Sequence, residues 1–91
     1  MRRPGGSSNG VRWMPLARHV GWPESTLGTL AMIIMRESSG RERAYNPSGA
    51  TGLLQILRSN SKQPWRLMDA EFNLREGLRL YRLCGWSPWA L

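Results

Sequence analysis

The strongest apolar pattern in the chain runs through Leu27, Leu30, Ala31 and Ile34, the i, i+3, i+4, i+7 spacing of one helix face. Met32, Ile33 and Met35 fill the other faces, so the pattern predicts a helix buried nearly all round, at the centre of the fold. Pro23 suits a first helical position, and Glu24 beside it favours the positive end of the helix dipole. The helix is expected to run to about Ser39, with Gly40 as its stop. Upstream, Val11, Met14, Leu16 and Val20 predict a shorter helix over residues 11–19, with Pro15 in its first turn and Gly21 at its end. Residues 1–10 hold only Gly, Ser, Pro, Asn and Arg after Met1 and read as a flexible basic tail.

Downstream the pattern breaks. Residues 40–52 are rich in turn formers, with Asn46-Pro47-Ser48-Gly49 and then Gly52. Leu53-Leu54-Gln55-Ile56-Leu57 is apolar but too short for its period to choose between a strand and the first turns of a helix. Polar residues 58–64 follow, with a short helix near Trp65. Asp69 is a good N-cap for a final helix carried by Phe72, Leu74, Leu78, Leu80 and Tyr81, ending at Gly85. Pro88 keeps that helix from continuing into the aromatic ending Trp86-Ser87-Pro88-Trp89-Ala90-Leu91.

Ninety-one residues allow one domain, placed at residues 11–91, with a small core. Thirteen Lys and Arg against six Asp and Glu give a formal charge of +7, which attracts polyanions such as nucleic acid, anionic lipid or wall polymers. The lone Cys84 excludes an internal disulfide and sits at an apolar helical position, where core burial is expected. His19 with one cysteine and scattered carboxylates makes no metal cluster, and no cofactor is implied. No apolar run stands behind Arg2-Arg3 to make a signal peptide, and none approaches the roughly 20 residues of a membrane span.

The chemistry centres on Glu37. It lies four residues after Ile33 and seven after Leu30, so its side chain stacks on apolar neighbours. Desolvation favours the neutral form of a carboxylic acid, and a carboxyl still protonated near neutral pH can protonate a leaving oxygen. The bland alternative is a solvated glutamate opposing the dipole at a helix end. No second carboxylate presents itself. Glu24 is roughly 20 Å away along the helix, Glu42 is expected to be solvated, Asp69 is a cap, and Glu71 and Glu76 fall on a polar face. A two-carboxylate glycosidase mechanism is therefore not supported. Gln55 after Gly52 offers donor and acceptor groups suited to sugar hydroxyls, or is simply part of a turn and core segment.

Glu37-Ser38-Ser39-Gly40, then Ala44-Tyr45-Asn46, Gly49-Ala50-Thr51-Gly52-Leu53-Leu54-Gln55-Ile56, and Asn73, Gly77 and Tyr81 together resemble the soluble lytic transglycosylase domain. That family belongs to the lysozyme-like superfamily and is related to goose-type lysozyme. The ending Gly85-Trp86-Ser87-Pro88-Trp89 is similar to a shorter variant of phage and actinobacterial wall-degrading domains. The resemblance covers residues 22–89 and implies a mostly α, lysozyme-like α+β domain built around a central helix that ends at the catalytic glutamate.

The resemblance further implies that Glu37 protonates the glycosidic oxygen between N-acetylmuramic acid and N-acetylglucosamine in peptidoglycan. The muramic 6-hydroxyl then captures the oxocarbenium-like centre, with the same glutamate as base, giving a 1,6-anhydro sugar. No water and no second carboxylate are needed. Ser38 matches the motif serine, which supports the loop and helix end and is placed among the substrate-binding residues, and Gly52, Leu53 and Gln55 match the floor of the substrate groove. Asn73 and Gly77 match packing positions, and Tyr81 matches either core or groove. Tyr45 and Asn46 are groove candidates, as are Trp86 and Trp89, because aromatic faces stack on sugars. Trp13, Trp22 and Trp65 are expected in packing roles.

Two departures stand out. The Ala-Tyr-Asn-Ala-Gly motif found near the end of larger members is missing, and residues 86–89 occupy that region; Leu57-Arg58-Ser59-Asn60 replaces the usual Pro-x-Thr-Ala. The first leaves a lysozyme-type hydrolase as the alternative, beside a non-catalytic wall-binding module. A small basic nucleic-acid binder is disfavoured, since the basic residues scatter and show no helix–turn–helix or zinc pattern. The expected partners are peptidoglycan strands and anionic wall polymers, bound by a monomer. Delivery by phage, as a lysin or on a virion, or within a longer secreted protein fits a chain of this kind.

Overall fold

A computed structural model describes residues 8–91. Four helices are present in this range: α1 (Ser8–Val11), α2 (Met14–Val20), α3 (Leu27–Ser38) and α4 (Ala70–Cys84). Two short strands, β1 (Ala50–Thr51) and β2 (Ile56–Leu57), pair antiparallel with Ala50 opposite Leu57 and Thr51 opposite Ile56. Single 3₁₀ turns cover Glu24–Thr26, Arg58–Asn60, Pro64–Arg66 and Ser87–Trp89. This is the mostly α architecture with a small β element expected from the sequence.

Most of the flexible tail expected at residues 1–10 lies outside the described residues, but residues 8–10 depart from it. They begin α1, which packs on α3. Gly10 allows that approach, because a Cβ there would collide with the Ala31 carbonyl and Met35. The helix expected over residues 11–19 is broken by a turn at Arg12 and Trp13, so Val11 ends α1 and α2 starts at Met14; α2 keeps Pro15 in its first turn and ends at left-handed Gly21, as its residues predict.

The central helix differs at both ends and on one face. Its first turn is 3₁₀, with Pro23 as an extended cap rather than a helical residue. Its stop is Ser39, at φ 55°, one residue before Gly40 at φ 78°. Leu27, Leu30, Ile33, Ile34 and Ser38 are buried, but Met32 is 50% exposed and lies in line with exposed Gly28 and Arg36. The helix is thus central to the core without being enclosed by it.

The second organising element is α4. Asp69 caps it as expected, accepting from Phe72 N at 2.9 Å. Glu42, expected to be solvated, supplies a second cap: its Oε2 accepts from Ala70 N at 2.7 Å. The buried face holds Phe72, Asn73, Leu74, Gly77 and Leu78 and runs out before the last turn. Cys84, past the end of that face, is therefore exposed rather than in the core.

Asn73 stitches α4 to the β region. Its Nδ2 donates to Thr51 O and Leu67 O, both at 2.9 Å, and its Oδ1 accepts from Leu54 N at 3.0 Å. Gly52 must be glycine at this joint: its φ is 81°, and a Cβ would collide with Asn73 Nδ2 and the Leu67 carbonyl. Under α4, Trp22 is buried and donates its indole N–H to Leu74 O at 2.9 Å. Tyr81 and Trp86 pack against Trp22 with centroids 5.4 and 5.8 Å away, and Trp89 meets Trp86 edge-on.

On the surface, Arg18 Nε and Nη2 grip both oxygens of Glu24. Hydrogen bonding to Arg18 lowers the Glu24 carboxyl below its ordinary pKa. A lowered folded-state value means stability that is present above the unfolded pKa and lost as pH falls through the folded one. Glu24→Gln should therefore melt slightly below wild type at pH 7 and converge on it in acid. The effect is small because the pair is exposed. Thermal unfolding at the two pH values checks it.

Candidate active site

Glu37 occupies the last turn of α3 and is about a quarter exposed, with 27% of its side chain accessible. The helix brings it to the surface where the chain leaves the core through Ser39 and Gly40. One carboxylate oxygen, Oε2, is held by Arg36, whose Nη2 and Nε lie 3.1 and 3.3 Å away. Among the described residues, no donor reaches Oε1.

The segment after Glu37 is pinned from several sides. Trp13 donates its indole N–H to Gly40 O at 2.9 Å. Glu42 holds Ala70, and Ala44 O accepts from Gly52 N at 2.7 Å. Tyr45 then bridges to Thr51, and Asn46 N donates to Ala50 O. The turn between them is closed by Ser48 N donating to Asn46 Oδ1 at 2.9 Å, an Asx turn, with Gly49 at φ 100°. The β hairpin is thereby tied to the end of the helix that carries Glu37.

The remaining carboxylates are committed elsewhere. All six lie within the described residues. Glu24 pairs with Arg18, Glu71 with Arg75 at 2.6 Å and Glu76 with Arg79 at 3.1 Å, while Glu42 and Asp69 cap α4. Glu37 stands without a carboxylate partner.

Several expected groove residues are used inside the fold instead. Ser38 is 2% exposed; its hydroxyl donates to Ile34 O and accepts from Gly40 N, so it shapes the helix end. Leu53 is fully buried, and Gly52 is covered by Asn73 and Leu67, so neither lines an open floor. Trp89 is buried, with its indole N–H on Leu54 O at 2.9 Å, which removes it as a sugar platform. Tyr81 and Trp86 are half-buried in the cluster with Trp22. Gln55 spends its Nε2 on Ala44 O and Gly52 O, at 3.2 and 3.1 Å, and holds its own turn at φ 49°.

Tyr45, 55% exposed, and Asn46 remain open to a ligand. Trp65, expected to pack, is the most exposed tryptophan at 71%. It lines a cleft of about 510 Å³ with Glu42, Arg43, Arg66, Met68 and Asp69. A second cleft, of about 570 Å³, lies between residues 59–63 and the Phe72, Glu76, Arg79 side of α4. Glu37 lines neither of these two clefts. Sequence reasoning missed the roles of Arg36, Glu42 and Trp13, since each depends on a partner distant along the chain.

The family model for the transglycosylase SLT domain matches residues 21–76. The chain belongs to this family. Probable transglycosylase IsaA from a bovine Staphylococcus aureus strain is 41% identical over 61 residues, and the protein of that name from strain Newman is 39% identical over the same length. Each alignment covers 67% of this chain and 24% of the relative, so the chain spans about a quarter of the length of these relatives. No solved structure matches at a significant level. Within this SLT domain, the matched region contains Glu37, Tyr45, Gln55 and Asn73, whereas Tyr81, Trp86 and Trp89 lie beyond it. No helix among the described residues is long and apolar enough to cross a membrane.

Proposed function

We propose that this SLT domain is a lytic transglycosylase that cleaves peptidoglycan between N-acetylmuramic acid and N-acetylglucosamine, with Glu37 as acid and then base. The reading rests on one observation: Glu37 is the single carboxylate of the chain not committed to a cap or to a pair away from the end of α3. Its Oε1, which no donor among the described residues reaches, donates a proton to the glycosidic oxygen as the C1–O bond breaks. The muramic 6-hydroxyl attacks C1 and returns its proton to Glu37, forming the 1,6-anhydro ring. Atoms and protons balance without water.

A hydrolase of the same bond would use a second carboxylate, as nucleophile or as the base that activates water. With the other five carboxylates engaged, capture by the substrate's own hydroxyl is favoured. Tyr45 and Asn46 on the hairpin are the proposed sugar contacts, and Trp65 adds an exposed aromatic face. The +7 charge attracts anionic wall polymers and makes encounter salt-dependent. The deciding experiment is mass spectrometry of muropeptides released from purified walls. Products lighter by one water than reducing-end sugars are expected. Reducing-end products alone would establish hydrolysis.

A further inference from the structure

Neighbouring residues on a helix diverge by roughly 100° and do not face each other. Arg36 nonetheless places both Nε and Nη2 on Glu37 Oε2. Helical geometry does not supply that contact, so something else must draw the guanidinium across the end of α3. The same Nη2 donates to the backbone carbonyl of Trp89.

That carbonyl is a fixed point. The Trp89 ring is buried, its indole N–H bonds Leu54 O, and its backbone N–H closes the Ser87–Trp89 turn onto Trp86 O at 2.9 Å. Ala90 at φ 61° ends the turn immediately afterwards. Leu54 is in turn held by Asn73 through its N–H. A planar guanidinium serves two acceptors at once, which an ammonium does not do in a fixed geometry.

We propose that Arg36, anchored by the Trp89 carbonyl, is a positioning residue that holds Glu37 Oε2 and leaves Oε1 aimed at the scissile oxygen. The proposal rests on Glu37 being the proton donor. It assigns a task to the chain's aromatic ending, which lies outside the region matched to the family. Misplacing a reacting group by about 1 Å costs up to ~10²-fold in rate.

The test is kcat and KM on soluble, uncrosslinked peptidoglycan strands, with thermal unfolding run on every variant. Arg36→Met keeps the apolar stem and should fold, because the ion pair is exposed. It is expected to lose about 10- to 100-fold in kcat with KM within about threefold. Arg36→Lys should fall between Met and wild type, severalfold below the latter. Trp89→Phe should lower kcat in the wild-type background and add nothing to Arg36→Met. Wild-type kcat in Arg36→Met, equal losses in Met and Lys, or a rise in KM alone would each overturn the proposal. Additive losses from Trp89→Phe would overturn the anchor. Should Arg36→Met fail to fold, a folded Arg36→Lys with wild-type kcat overturns it alone. Glu37→Gln beside these separates the two readings. If it is inactive while Arg36→Met is fully active, only the positioning role falls; if it is fully active, both fall.

Discussion

Glu37→Gln is expected to slow wall clearance by about 10²–10⁴-fold, the range that general acid–base catalysis contributes. The upper end is expected, because one carboxyl serves both proton transfers and an amide of the same shape performs neither. Folding should be almost untouched. The substitution removes one ion pair with Arg36, and both partners reach solvent. Turbidity loss of purified peptidoglycan and a thermal melt, measured together, therefore isolate the chemistry. A variant that clears walls at the wild-type rate removes Glu37 from the mechanism, since no other carboxylate is free to replace it.

Asn73→Ala is expected to be the most destabilising single change. Asn73 is fully buried and completes three backbone groups, Leu54 N–H, Thr51 C=O and Leu67 C=O. Each buried group left without a partner costs about 1–3 kcal/mol. A chain of this size has about 5–14 kcal/mol in total, at ~0.05–0.15 kcal/mol per residue. Even the low end of the loss, ~3 kcal/mol, lowers Tm by roughly 12 °C or more in a domain this small. Asn73→Asp should do no better at neutral pH. It keeps the acceptor for Leu54 but turns an anion toward two carbonyls. A melt by circular dichroism decides, and a shift under about 2 °C would contradict the role assigned to this side chain.

The helices were readable because their signals are local. The 3.6-residue period of Leu27, Leu30 and Ile34, the Asp69 cap and the Gly21 and Gly85 stops each act within a turn or two of chain. The strand at Ile56–Leu57 was not readable, because it exists only through Ala50–Thr51 opposite it and Asn73 beneath. Cys84 shows the opposite failure. Its apolar spacing is correct, but the buried face of α4 ends at Leu78, before Cys84 is reached. At the site, Glu37 was singled out by its motif. Its surroundings were not: Glu42 reaches Ala70, Trp13 reaches Gly40 and Arg36 reaches Trp89, all contacts made by folding. Ser38, Leu53 and Trp89 were assigned to the groove by their place in the motif or the tail. Burial assigns them to the frame that shapes it.

The aromatic cluster beneath α4 also gives this domain an optical signature. Trp22 and Trp86 stack with centroids 5.8 Å apart and planes inclined by 15°. Two indoles that close couple their electronic transitions, and where the two transition moments are skewed the coupling splits the band into a pair of opposite sign in circular dichroism. The rings come from opposite ends of the domain, so the couplet appears only when the chain's ending has docked. A spectrometer can thus follow the seating of the segment that carries Trp89 separately from the formation of the helices, without a label or a bound substrate.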